Sequence, residues 1–112
     1  MKVAIPLADG RLAMHFGHCQ EFALFEIGDD GAGIVDSETL EAPPHQPGLL
    51  PKWLQENGAD TIIAGGMGRR AQALFSRGGI DVVVGAPALE PRRIVEEYLE
   101  GSLETGENIC DH

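Results

Sequence analysis

Short apolar runs, separated by glycine, proline and acidic residues, divide the chain into alternating elements. Residues 3–6 and 22–27 read as buried strands, joined by a long loop from Leu7 to about Gln20. Asp29, Asp30 and Gly31 form a hairpin turn into a third strand over 34–40, whose Asp36 and Glu38 suit an exposed sheet edge. Beyond a proline-rich stretch the apolar spacing becomes helical, with Leu50, Trp53 and Leu54 on one face of a helix over 49–57 that Asn57 and Gly58 stop. A buried strand over 61–64 follows. Gly65, Gly66, Met67 and Gly68 lead into a helix with Ala71, Leu74 and Phe75 on its inner face, ending at Gly78 and Gly79. Residues 81–84 repeat the buried-strand pattern. Glu90 and Pro91 then open a last helix that uses Ile94, Val95, Tyr98 and Leu99 and stops at Gly101.

The resulting order β-β-β-α-β-α-β-α predicts an α/β domain. Buried strands alternating with helices require parallel right-handed crossovers, while the second strand pairs antiparallel through its hairpin. The expected sheet is mixed and five-stranded, ordered 3-2-1-4-5, with helices on its faces. Strands one, three, four and five then run toward one edge. The loop holding His15, the segment holding His45, the 65–68 turn and the 85–91 turn emerge there together, beside the switch point between strands one and four, where open α/β sheets leave a ligand crevice.

Composition narrows the partners. A chain of 112 residues fits one core. Its formal charge of -10 and pI near 4.6 repel phosphate backbones and anionic lipid, so neither nucleic acid nor membrane is an expected partner. Met1 and Lys2 run straight into the first strand and no apolar stretch reaches membrane length, which predicts a cytoplasmic protein without a leader. In that compartment the two cysteines are thiols or ligands rather than a disulfide, and without Cys-x-x-Cys pairs they do not form an ordinary zinc knuckle.

All four histidines and both cysteines fall in three places: His15, His18 and Cys19; His45 among prolines; and Cys110 and His112 at the C-terminus. Imidazole and thiolate hold soft and borderline transition metals, so these six are the candidate metal ligands. From Gly101 an extended chain of eleven steps spans about 35 Å, so the tail has the length to reach the crevice. The 65–68 turn offers backbone N–H groups at a helix start, backed by Arg69 and Arg70, which favours an anion. It lacks the Lys-Ser/Thr ending of a nucleotide-hydrolysing P-loop.

The chain resembles the dinitrogenase iron-molybdenum cofactor biosynthesis family, the nitrogenase accessory domain. The resemblance rests on residues 1–6, on His15, Phe16, Gly17 and His18 followed by Phe22 and Phe25, on His45, on Ala64 to Gly68, on Gly79 and Ile80, on Gly85, Ala86 and Pro87, and on Cys110, Asp111 and His112. It implies a ribonuclease-H-like three-layer domain over 1–101 with a flexible tail over 102–112. The implied role is non-catalytic: carriage or delivery of an iron-sulfur or molybdenum-iron-sulfur cluster, or of a molybdenum-copper-sulfide cluster as in some relatives. Such a cluster would be bound as cargo, and the purified protein could hold none. Cluster donor and acceptor proteins are the implied partners, with the chain a monomer or weak homo-oligomer. His15, His18, Gly65, Gly66, Gly68 and Arg69 would form the cluster site, and His15, His18, Cys19, His45, Cys110 and His112 its metal ligands.

Each motif also has a plainer reading. His15 and His18 could hydrogen-bond to backbone, Cys19 could be a small buried hydrophobe, and His45 could be a spacer among prolines. Cys110 and His112 could be a frayed end, the glycines a tight turn, and Met14 and Met67 packing rather than thioether donors. Two other functional classes follow: a regulatory or interaction domain that binds a simple metal ion or none, and an enzyme. The first strand carries no metal-binding carboxylate and no nucleophile–base set is present, which disfavours the enzyme.

Overall fold

The computed structural model describes residues 1–14, 16, 19–29, 33–43 and 49–106. Its strands are β1 (Lys2–Ala8), β2 (Arg11–Leu12), β3 (Glu21–Ile27), β4 (Ile34–Glu41), β5 (Thr61–Ile63) and β6 (Asp81–Val83); its helices are α1 (Leu49–Glu56), α2 (Arg69–Arg77) and α3 (Pro91–Glu100). β1 is antiparallel to β3, which is antiparallel to β4, whereas β5 is parallel to β1 on one side and to β6 on the other. The C-terminal ends of β1, β4, β5 and β6 therefore share one edge, as the strand directions inferred from the sequence require.

The expected five-stranded order needs one correction. Among the described residues the sheet has six strands, in the order β4-β3-β1-β5-β6 expected from the sequence, with β2 added off this path and paired to β1. Asp9 (φ 55°) and Gly10 (φ 80°) make the two-residue turn between β1 and β2, the pair of positive φ values that matches strand twist in a tight hairpin. The segment expected as loop from Leu7 is thus strand and hairpin at its start. Pro6 explains where the sheet opens. β5 pairs only with Val3 and Ala4 of β1, so Pro6 lies beyond that ladder and its missing N–H breaks no bond there. The Pro6 carbonyl instead accepts the Ala13 N–H at 2.8 Å.

Alternation along the strands sorts the core onto two faces. Ala4, Phe22, Leu24 and Ile62 pack with Leu50 and Leu54 of α1 and Phe75 of α2. Val3, Ile5, Phe25 and Ile63 pack with Ile94 and Val95 of α3. Helices thus cover both faces, in three layers. β4, at the edge, has no fully buried residue, consistent with the acidic edge expected from Asp36 and Glu38. Pro91 begins α3 and Gly101 ends it in the left-handed conformation, as expected. No helix among the described residues is long and apolar enough to cross a membrane.

Candidate functional site

The site edge is built by a few backbone bonds between segments distant in sequence. After Ala13, the Phe16 N–H donates to the Gly66 carbonyl at 2.8 Å, and the Gln20 N–H returns to the Leu7 carbonyl at 2.7 Å. The Ala42 N–H donates to the Gln20 carbonyl at 3.0 Å, which brings the chain leaving β4 beside the end of this loop. Phe16 is 8% exposed, although it lies in a loop. Its ring sits edge-on to Phe75 with centroids 5.5 Å apart and tilted to Phe22 at 6.1 Å. The loop is therefore anchored in the core at its middle, not only at its ends.

The 65–68 turn lies directly under the loop. A Cβ on Gly65 would come within 3.0 Å of the Ala13 carbonyl oxygen and 3.1 Å of Met14 Cα, so the two backbones meet at a separation that a side chain would push apart. The Gly65 carbonyl accepts the Gly85 N–H at 2.6 Å, joining the turns after β5 and β6. Gly65 and Gly66 are buried, Gly68 is half-buried, and Arg69 is exposed at the start of α2. Gly68 is the N-cap of α2 and supplies no side-chain acceptor to the first-turn N–H groups, an arrangement that favours an anionic partner. Met67 is fully buried, which matches its packing alternative.

Of the six candidate metal ligands, His15, His18, His45, Cys110 and His112 lie outside the described residues. Cys19 is described. It is 5% exposed within the core cluster of Phe16, Phe22 and Phe75. Burial pushes its thiol up to about 11, outweighing a backbone hydrogen bond that lowers it. Burial thus disfavours the thiolate that a metal requires, which accords with the packing alternative for Cys19. Among the described residues no group of three or more histidine, cysteine, aspartate or glutamate side chains is gathered for a metal ion.

A chemical test of the Cys19 environment follows. At pH 8 a thiol with a pKa near 11 is roughly one part in a thousand thiolate, against about a quarter for an ordinary cysteine. Iodoacetamide labelling of Cys19 in the folded chain is expected to be at least about 100-fold slower than in denaturant. Peptide mapping by mass spectrometry separates it from Cys110. Comparable rates in the two states would show that the thiol is not held in the core.

Sequence reasoning overlooked three features. The Asp9–Gly10 hairpin had a local signal, an Asp-Gly pair between Leu7-Ala8 and Arg11-Leu12. Phe16 had a weaker one, a large aromatic residue set between two histidines. The bond from the Gly106 N–H to the Gly85 carbonyl, at 2.7 Å, had none.

A family model described as dinitrogenase iron-molybdenum cofactor matches residues 1–101. The uncharacterized protein MJ0580 of Methanocaldococcus jannaschii is 33% identical over 109 residues, covering 93% of this chain and 90% of that one. The crystal structure of PH0822 is similar with a TM-score of 0.87 and 30% identity, over 96% of both chains. The apo form of the orange protein from Desulfovibrio gigas has a TM-score of 0.71 at 20% identity, over 96% of this chain and 93% of that one, and so shares the fold.

Proposed function

We propose that this chain, which belongs to the dinitrogenase iron-molybdenum cofactor family, is a carrier that holds an anionic metal-sulfide cluster, or its precursor, for transfer between a donor and an acceptor protein. The observation that supports this most is the Phe16–Gly66 bridge. It ties a loop whose sequence places histidines on either side of Phe16 to a glycine turn at the head of α2. A carrier needs a fixed base and ligands that remain accessible, because transfer requires open coordination positions rather than a closed cage.

In this reading His15 and His18 supply the first imidazole nitrogens, with His45, Cys110 and His112 as further ligands. Backbone N–H groups at Gly66 and Gly68, together with Arg69, favour the negative charge of the cluster, and Gly65 allows the loop to approach. Cys19 serves in the core. No catalytic step is proposed, since a carrier lowers no chemical barrier. The ribonuclease-H-like class, implied by the family resemblance, and a cytoplasmic setting, inferred from the sequence, belong to the same proposal.

Anaerobic loading tests it. The chain is incubated with tetrathiomolybdate and Cu(I), or with iron and sulfide, then desalted and assayed for metal and sulfide per chain. Stoichiometric retention of both metal and sulfide is expected at pH 7.5. Protonation removes imidazole from the ligand set, so retention should fall as pH drops through about 6.5, the ordinary histidine value. Uptake of a bare metal ion without sulfide would favour a simple-metal regulatory domain, and pH-independent retention would argue against histidine ligation.

A further inference from the structure

Beyond α3 the chain turns back across the site edge. The Ser102 N–H donates to the Glu97 carbonyl at 2.9 Å, Leu103 packs half-buried against the core on the α3 face, and the Gly106 N–H reaches the Gly85 carbonyl at 2.7 Å. Gly85 has φ 83°, and a Cβ there would collide with the Gly106 carbonyl. The turn therefore admits this segment only because residue 85 is glycine. Between the segment and Met14 lies an open depression of about 410 Å³, lined also by Ala86 and Pro87, a volume in the range of small-ligand sites. Met14 is 42% exposed, so its side chain is not committed to the core. It puts a thioether, a soft metal donor, at the rim.

We propose that residues 103–106 are a retaining strap: docked on Gly85, they wall the depression beside Met14 and slow the loss of a sulfide-bridged metal cargo. The inference rests on the carrier reading and adds to it a means of controlling release. Among the described residues the strap is tied down by the Gly106–Gly85 backbone bond and by half-buried Leu103. Glu104 contributes a carboxylate to the same wall.

Two variants of the full chain test the strap, neither at a proposed cluster ligand. Gly85→Ala obstructs docking, and Gly106→Pro removes the N–H that donates to Gly85. Both are loaded anaerobically with tetrathiomolybdate and Cu(I), and release into excess chelator is timed. Saturating uptake should be retained while release accelerates about 5- to 10-fold, the worth of roughly one net backbone hydrogen bond. Hydrogen exchange of the unloaded protein supplies a readout that needs no cargo: the Gly106 amide should be protected in wild type and lose that protection in Gly85→Ala. If circular dichroism shows Gly85→Ala to be misfolded, Gly106→Pro carries the test, because residue 106 is exposed and lies beyond the last helix. Release at the wild-type rate from a folded variant overturns the strap. Failure of the wild-type chain to load overturns the carrier reading and retention with it, and exchange at Gly106 then reports docking alone.

Discussion

Replacing Phe16 by alanine is expected to lower the stability of the fold by about 3 kcal/mol, the low end of the range for a buried phenylalanine. The ring is 8% exposed and contacts both Phe75 and Phe22, so its removal leaves a cavity and ends two aromatic pairings, each worth about 0.5–1.5 kcal/mol beyond area burial. The same change removes the side chain that anchors the loop in the core, leaving the Phe16–Gly66 backbone bond to tie it to the 65–68 turn. Loaded cluster should consequently leave faster. Urea titration gives the stability change as a shift in midpoint at constant slope, and Phe16→Leu should recover more than half of the loss. A stability change below about 1 kcal/mol for Phe16→Ala would mean that the ring does not anchor the loop.

Replacing His15 and His18 together by alanine is expected to have the opposite profile. Uptake should fall at least about tenfold, since each lost ligand is worth more than the 1.4 kcal/mol that a factor of ten represents, while stability changes by no more than about 0.5 kcal/mol. Both residues lie outside the periodic apolar positions, so the core does not depend on them. The loop is anchored at both ends and at Phe16, whereas a tail ligand must first be ordered at an entropic cost. Deleting 108–112 should therefore leave measurable uptake with faster release, and it spares the Gly106 bond to Gly85. Bound metal against time, measured on both variants after circular dichroism confirms folding, decides the ranking. Normal loading of the double variant combined with none in the truncated chain would place the primary ligands in the tail.

The sequence by itself determined the elements and their directions. Period-two and period-3.6 apolar patterns are local consequences of which side chains face a core, so β1, β3, β4, β5, β6, α1, α2 and α3 were legible, as were Pro91 and Gly101 at the ends of α3. Strand direction then placed the segments after β1, β4, β5 and β6 at one edge. Chain length bounded the reach of the tail without giving its path. What only the tertiary structure decided were the contacts between segments that share no periodicity. β2 is two residues long, too short for alternation to register. The burial of Phe16 depends on the gap that Phe22 and Phe75 leave, and the thiol state of Cys19 on the apolar surroundings they create. The approach of Gly65 to Ala13 and of Gly106 to Gly85 joins residues 52 and 21 positions apart through backbone atoms. Backbone groups are identical at every position, so nothing in residue type specifies their partners; packing of the two helical layers on the sheet does.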